Sequence, residues 1–342
     1  MDSSKGITSM LATRLGKFIG VLSLAVALQG CVIIPISGLG GRSDYGEMQL
    51  RKGSSRKILV LDIEGVINGG GESSGFFASE STVVQVTEKL RKAEKDSNIK
   101  AVVIRMDSPG GGVTASDIIY REVLRFKEKT KIPVYVSMLD VAASGGYYIS
   151  MAADQVYASP TTVTGSIGVI AMFPQVAGLG DKIGVGMEVI KSGQNKDMGA
   201  MWHKMAPEER AIMQSVIDEM YNKFTTIVAA NRTDLSMEKV RELADGRIYT
   251  GQQALDNGLV DGIMYLDEVI DLAAKENGGG KPRVVMYRKT SAELAETYYV
   301  SSNVPSPQAS QNNVTQFNMM NVNAGGFSAA DHGPVFQYRW NP

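Results

Sequence analysis

The chain has 342 residues, a formal net charge of -1 and 44% hydrophobic residues. That length is ample for one large core or two modest ones, and a balanced charge without a long Lys/Arg run gives no basis for nucleic-acid binding. A single cysteine, Cys31, excludes an intrachain disulfide and a cysteine-cluster metal site, and two histidines, His203 and His332, argue against a histidine-built metal centre.

Residues 1–30 read as an export signal. Lys5, Arg14 and Lys17 form a charged leader, and "FIGVLSLAVAL" is an apolar stretch too short to span a bilayer comfortably. The "LQGC" that follows resembles a bacterial lipobox. That resemblance implies cleavage before Cys31 and lipidation of its thiol, hence a membrane-anchored protein of the bacterial cell envelope. By the same resemblance, Val32 in place of an aspartate after the cysteine implies the outer membrane if the cell is Gram-negative. Residues 31–56 carry Gly, Ser and charges without a period and read as a linker. Ser54 and Lys57 fit an S-x-x-K spacing, but no S-D-N or K-T-G follows, so the match is chance.

The first strand is expected over "KILVLDIEGVI", then a glycine-rich loop. Val83, Val86, Leu90 and Ala93 share one face of a helix expected over 82–96. Strand "AVVIRM", loop "DSPGGG" and helix "VTASDIIYREVLRFKEK" follow. Then come strand "PVYVSML", turn "DVAAS" and a short helix "GGYYISMAA". Strand "QVYAS", loop "PTTVTGSIGVI", a helix near 175–183 and strand "MEVIKSG" complete the middle of the chain. A long helix is expected from Pro207 to Asn231, with Pro and Glu suited to its first turn. This alternation predicts an α/β layered fold with a largely parallel sheet. The peptide from 297 to 342 is rich in Ser, Asn, Gln and Gly, reads as a mostly disordered tail, and ends on the aromatic "PVFQYRW".

Three segments carry candidate chemistry. Ser144 opens "SGGYY" directly after an apolar strand, one glycine short of the G-x-S-x-G elbow because Ala142 stands first. A serine hydroxyl needs a base and donors for the developing oxyanion, and a small residue in a tight turn would read the same way. Lys196 in "SGQNKDMGAM" is a possible base, since burial can make a lysine neutral, although lysines in loops are usually solvated. His203 lies on a polar stretch beside Trp202 and reads as a surface histidine, and His332 lies in the tail, so a Ser-His-Asp triad is not supported. The glycines of "DSPGGG" let backbone N–H groups approach a substrate, or serve a turn and helix cap; without G-K-[ST] they are not a phosphate loop.

Taken together, "DSPGGGV", "AASGGYYIS", "TGSIGVI", "KSGQNKD", "FTTIVAANR" and "GRIYTGQQALDNGLVDGI" resemble, in order, the signal peptide peptidase A family of serine peptidases. The resemblance runs from about Lys57 to Glu296, giving a peptidase domain over 57–296, and the final "PVFQYRW" resembles the family's aromatic ending. It implies a Clp protease/crotonase-like fold and a Ser-Lys dyad, with Ser144 as nucleophile and Lys196 as general base. It also implies an oxyanion hole from the N–H groups of Gly111 and Gly145, with Ser166 as a supporting residue. No metal or organic cofactor is implied. The short, single-copy form implies a homo-oligomeric ring in which neighbouring subunits share each site, acting on signal peptides or other hydrophobic peptide segments. Two competing readings are a non-catalytic ring that binds peptides or membrane proteins, and a crotonase-like acyl-CoA enzyme, which export disfavours.

Overall fold

A computed structural model of the chain describes residues 45–70, 81–289 and the backbone of 337–339. The export signal, Cys31, most of the expected linker, His332 and most of the tail lie outside the described residues. Strand β1 (Tyr45–Arg51) leads into β2 (Lys57–Glu64), helix α1 (Thr82–Ala93), β3 (Ile99–Ser108), β4 (Gly110–Gly112) and α2 (Val113–Thr130). Next come β5 (Val134–Ala143), α3 (Gly145–Ser150), β6 (Gln155–Ala158), β7 (Val163–Gly165), α4 (Ala177–Ile183), α5 (Pro207–Asn231) and α6 (Met237–Leu243). The rest is β8 (Ile248–Thr250), α7 (Gly251–Asp256), β9 (Gly262–Ile263), α8 (Leu266–Glu276), β10 (Arg283–Lys289) and β11 (Gln337–Arg339).

The main sheet runs β1–β10–β2–β3–β5–β6–β9. Only β1 is antiparallel on that path, and β7 adds to the far end of β5 in parallel, with β8 antiparallel to it. The continuous apolar runs of β2 and β3 follow from burial on both faces. Ile58, Val60, Ala101 and Val103 meet Leu266, Val269 and Ile270 of α8. Leu59, Leu61, Val102 and Ile104 share the other core with Val86 and Leu90 of α1 and with Ile119, Val123 and Phe126 of α2. Those three α2 anchors are each 0% exposed. Burying each is worth about 1.5–3 kcal/mol, while ordinary helix propensities differ by roughly half a kcal/mol. Packing therefore seats α2.

Four expectations need correction. Residues 45–51, counted with the linker, form β1, because Met48 and Leu50 pack on the α8 side of the sheet while the backbone pairs with β10. The turn expected over 140–144 is mostly strand: β5 runs to Ala143 because β7 pairs with Val141–Ala143. That same pairing puts β7 inside the expected loop 160–170. No strand forms over 187–193; no described strand pairs with this stretch, and Ile190 is 97% exposed. Among the described residues, no helix is long and apolar enough to cross a membrane.

The parallel strands β2, β3 and β5 all end on one side of the sheet, at Glu64, Ser108 and Ala143. The loops beyond those ends hold Ser144 and the glycine strand β4, the usual location for a site in an open α/β sheet.

Candidate active site

Ser144 is the single residue between β5 and α3. Its backbone turns through φ 54° and ψ -112°, a conformation that residues with a Cβ rarely adopt. Both neighbours enforce it. The Ser144 N–H donates to the Gly165 carbonyl at 2.8 Å, and the Ser144 carbonyl accepts from the Tyr148 N–H at 2.8 Å. The helix behind the turn is pinned in turn. The Tyr147 hydroxyl donates to the Leu259 carbonyl at 2.8 Å, and the Tyr148 hydroxyl donates to the Asp117 carboxylate at 2.6 Å. The Tyr148 ring stands edge-on to Tyr120 and Phe224. The serine is thus on a sharp, rigid turn whose following N–H groups begin a helix.

β4 runs beside that turn. Ile67 clamps it: the Ile67 N–H donates to the Gly110 carbonyl at 3.0 Å, and the Ile67 carbonyl accepts from the Gly112 N–H at 2.9 Å. The Ser108 hydroxyl accepts from the Gly110 N–H at 3.1 Å and donates to the Gly65 carbonyl at 2.6 Å. A Cβ on Gly145 would lie 2.5 Å from Ser116 Oγ and 3.2 Å from the Gly111 nitrogen. The two residues whose amides are expected to serve an oxyanion are therefore neighbours, and a side chain at 145 would collide with Ser116 and crowd Gly110 and Gly111. The outer edge of β4 pairs antiparallel with β11, with Tyr338 opposite Gly111. Burial pushes the Asp107 carboxyl upward at the end of β3, where it accepts from the Val141 N–H at 3.2 Å.

Ser144 and Ser166 line one cleft of about 540 Å³, with Val169, Ile170, Ile217 and Tyr221 as its apolar walls and Gln214, Asp218, Asp245 and Gly246 at its polar positions. Ser166, at φ 49°, is held by its N–H bond to the Arg247 carbonyl at 2.8 Å. The Arg247 guanidinium holds the Asp245 carboxyl down to about 2. Sequence reasoning missed the wall on α5, since nothing in that helix marks which face meets the cleft. Gly246 opens the "GRIYT" segment and Asp245 directly precedes it, so both had a signal in the sequence. A second hollow of about 600 Å³ lies at the opposite ends of the strands, among Glu94, Lys100, Lys129 and Glu276, and is remote from the serine turn.

Lys196 is placed differently. It is exposed, in the irregular segment between α4 and α5, with its N–H on the Gly193 carbonyl at 3.1 Å. It is not among the residues that line the Ser144 cleft. One chain therefore brings Ser144, Gly145, Gly111 and Ser166 together and leaves Lys196 outside. Asp197, His203 and Glu209 cluster closely enough to hold a metal ion. However, both His203 ring nitrogens face carbonyl oxygens, of Lys204 and Asp197, each at 2.9 Å, and a ring that donates to both has no lone pair for a metal.

Residues 126–280 match the model of peptidase family S49, and residues 77–164 match that of Clp protease. A protein of Enterococcus faecium named signal peptide peptidase SppA is 38% identical over 259 residues, which span 75% of each chain. The chain belongs to peptidase family S49. It is a serine peptidase, and the mostly parallel sheet described above is a Clp protease-like domain. Protease 4 of Haemophilus influenzae is 39% identical over 217 residues, covering 64% of the peptidase and 34% of that relative. The chloroplastic serine protease SPPA of Arabidopsis thaliana is 38% identical over 218 residues, covering 62% of the peptidase and 32% of that relative. Ser144 and Lys196 both fall within the S49 match, and the β4 glycines fall within the Clp match.

Proposed function

We propose that the peptidase is a membrane-anchored endopeptidase for hydrophobic peptide segments, signal peptides among them, and that it works by a Ser144–Lys196 dyad shared between neighbouring subunits of a ring. Neutral Lys196 takes the proton from Ser144 Oγ as the oxygen attacks the scissile carbonyl. The resulting oxyanion accepts from the N–H groups of Gly145 and Gly111. The lysine then passes the proton to the leaving amine, and a water deprotonated by Lys196 releases the acyl group from Ser144. Ser166, on the same cleft, orients the lysine amine. A lipid on Cys31 holds the ring at the bacterial envelope, the outer membrane in a Gram-negative cell.

What most supports this reading is the serine on a strained turn with two glycine amides beside it at an apolar cleft. The β4 edge also already pairs with an extended segment, as a peptide substrate requires. Sharing between subunits is supported by where Lys196 stands. Met172, Leu179, Ile183, Met187, Val189 and Ile190, in the stretch leading up to it, are all exposed, from 46% to 97%. So many exposed apolar side chains in one stretch support an assembly face there; a neighbour seated on it would remove Lys196 from water, which favours the neutral amine.

The test follows hydrolysis of a fluorogenic apolar peptide by the full chain, Ser144→Ala and Lys196→Ala, with the oligomeric state of each measured. Both variants should assemble and be inactive. Unfolded together and reassembled as a mixture, they should regain activity at about a quarter of the sites, because random neighbours then pair an intact serine with an intact lysine. A mixture that stays inactive would refute sharing. An active Lys196→Ala would refute the dyad, and an assembled but inactive wild type would favour a binding scaffold.

A further inference from the structure

His203 follows Lys196 in the same segment, and both of its ring nitrogens are engaged. Nδ1 lies 2.9 Å from the Lys204 carbonyl oxygen and Nε2 lies 2.9 Å from the Asp197 carbonyl oxygen. Carbonyl oxygens only accept. A neutral imidazole has one N–H and one lone pair, so it satisfies one carbonyl and sets a lone pair against the other. The imidazolium satisfies both.

The surroundings favour that charged form. The Asp197 carboxylate lies 3.6 Å from Nε2. Glu209, in the first turn of α5, is the other carboxylate facing the ring, and its own oxygen accepts from the Ala206 N–H at 2.9 Å. Lys191 pairs with Asp197 at 2.6 Å and offsets part of its charge. The Lys204 carbonyl first, and the Asp197 carbonyl next, hold His203 above the usual histidine value of 6.5.

The bond to Asp197 matters because of what that residue holds. Its carbonyl also accepts from the Ala200 N–H at 2.9 Å, closing a turn directly after Lys196. Lys204 leads into α5, the helix that walls the Ser144 cleft with Ile217 and Tyr221. The imidazolium therefore ties the turn that carries the lysine to the root of the cleft helix.

We propose that protonated His203 is a positioning residue: it locks the turn at 197–204 so that Lys196 is presented to the nucleophile, and raising the pH unlocks it. This rests on the reading of Lys196 as the base. The sign follows from the raised value: the lock is complete well below the folded-state titration of His203 and is lost as pH rises through it. A lysine base makes activity climb with pH, so the two together make the profile bell-shaped, with His203 on the alkaline limb.

The experiment is the pH profile of kcat and KM for the full chain, His203→Gln, His203→Arg and Lys196→Ala. Wild-type kcat should fall about tenfold per pH unit on the alkaline side, as for loss of one proton. His203→Gln should lose about tenfold or more in kcat at pH 6, with KM and Tm little changed, as for a displaced base. His203→Arg, with a permanent charge and several N–H donors, should restore kcat and remove the alkaline limb. An alkaline limb in His203→Arg like that of wild type, with Lys196→Ala inactive, overturns the lock and leaves the dyad standing. An active Lys196→Ala overturns the dyad and the lock with it. His332→Gln leaves His203 as the single histidine of the chain. Its NMR titration in ¹³C-histidine-labelled protein should fall above 6.5, and a value at or below the usual one also overturns the lock.

Discussion

The φ of 54° at Ser144 costs a residue with a Cβ about 1–3 kcal/mol, and the hydrogen bonds at Gly165 and Tyr148 hold it there. Ser144→Gly is therefore expected to raise stability by about 1 kcal/mol while abolishing hydrolysis, since glycine relieves the strain at some cost in unfolded-chain entropy. Calorimetric Tm checks it; an unchanged or lower Tm would show that the turn is unstrained. The turn was only partly legible in the sequence. A serine between an apolar strand and two glycines suggests an elbow, but its strain comes from strand β7 and helix α3 acting together. Gly145 could be read as a flexible residue. Its real constraint is Ser116 Oγ, 2.5 Å from where a Cβ would stand, and that atom arrives from α2.

At the scale of elements, apolar runs and periodicity located β2, β3, β5, β6, α1, α2 and α5 to within a few residues, because both faces of the sheet are buried and α1 and α2 each bury one stripe; beyond Asn231 the elements up to β10 were not read from the sequence. Periodicity failed where partners decide. Residues 187–193 have the β-branched content of a strand yet pair with none, whereas Val163–Gly165 looks like loop and is strand because β5 and β8 flank it. β4 has no side chains to pattern, so its pairing with Ile67 and β11 was invisible. That pairing has a kinetic consequence. β11 covers the edge that a peptide substrate would use in the proposed reading, and a tethered strand competes at an effective concentration on the order of millimolar. Removing Gln337 to Pro342 is expected to lower KM for an added apolar peptide several-fold and to leave Tm within about 1 °C, since so short a strand adds little stability. A KM that stays the same or rises would mean that substrate avoids this edge.

For the whole molecule, the decisive feature is that one chain carries the serine and the amides at its cleft and the lysine elsewhere, behind a row of exposed apolar side chains. Ile190, at 97% exposure, contributes nothing to the core of its own chain. Ile190→Asp should therefore leave the fold of the single chain intact, as surface substitutions generally do. If that row is the contact between copies, the same change should break assembly, and hydrolysis should disappear with it. Light scattering and the peptide assay read both outcomes. An active monomer would sink the shared-site reading, while an intact, active oligomer would move the contact elsewhere.

By itself the sequence determined the alternating α/β class, the membership that the ordered motifs express, and which serine, lysine and glycines deserved attention. These are local properties: apolar runs, turn residues and short motifs survive in one dimension. Only the tertiary structure decided that Gly111 and Gly145 are neighbours, that Ile217, Tyr221 and Asp245 wall the cleft, that residues 45–51 belong to the sheet, and that Lys196 stands outside the cleft of its own chain. Each of these depends on groups far apart in the chain meeting through packing and backbone pairing, which spacing along a sequence does not encode.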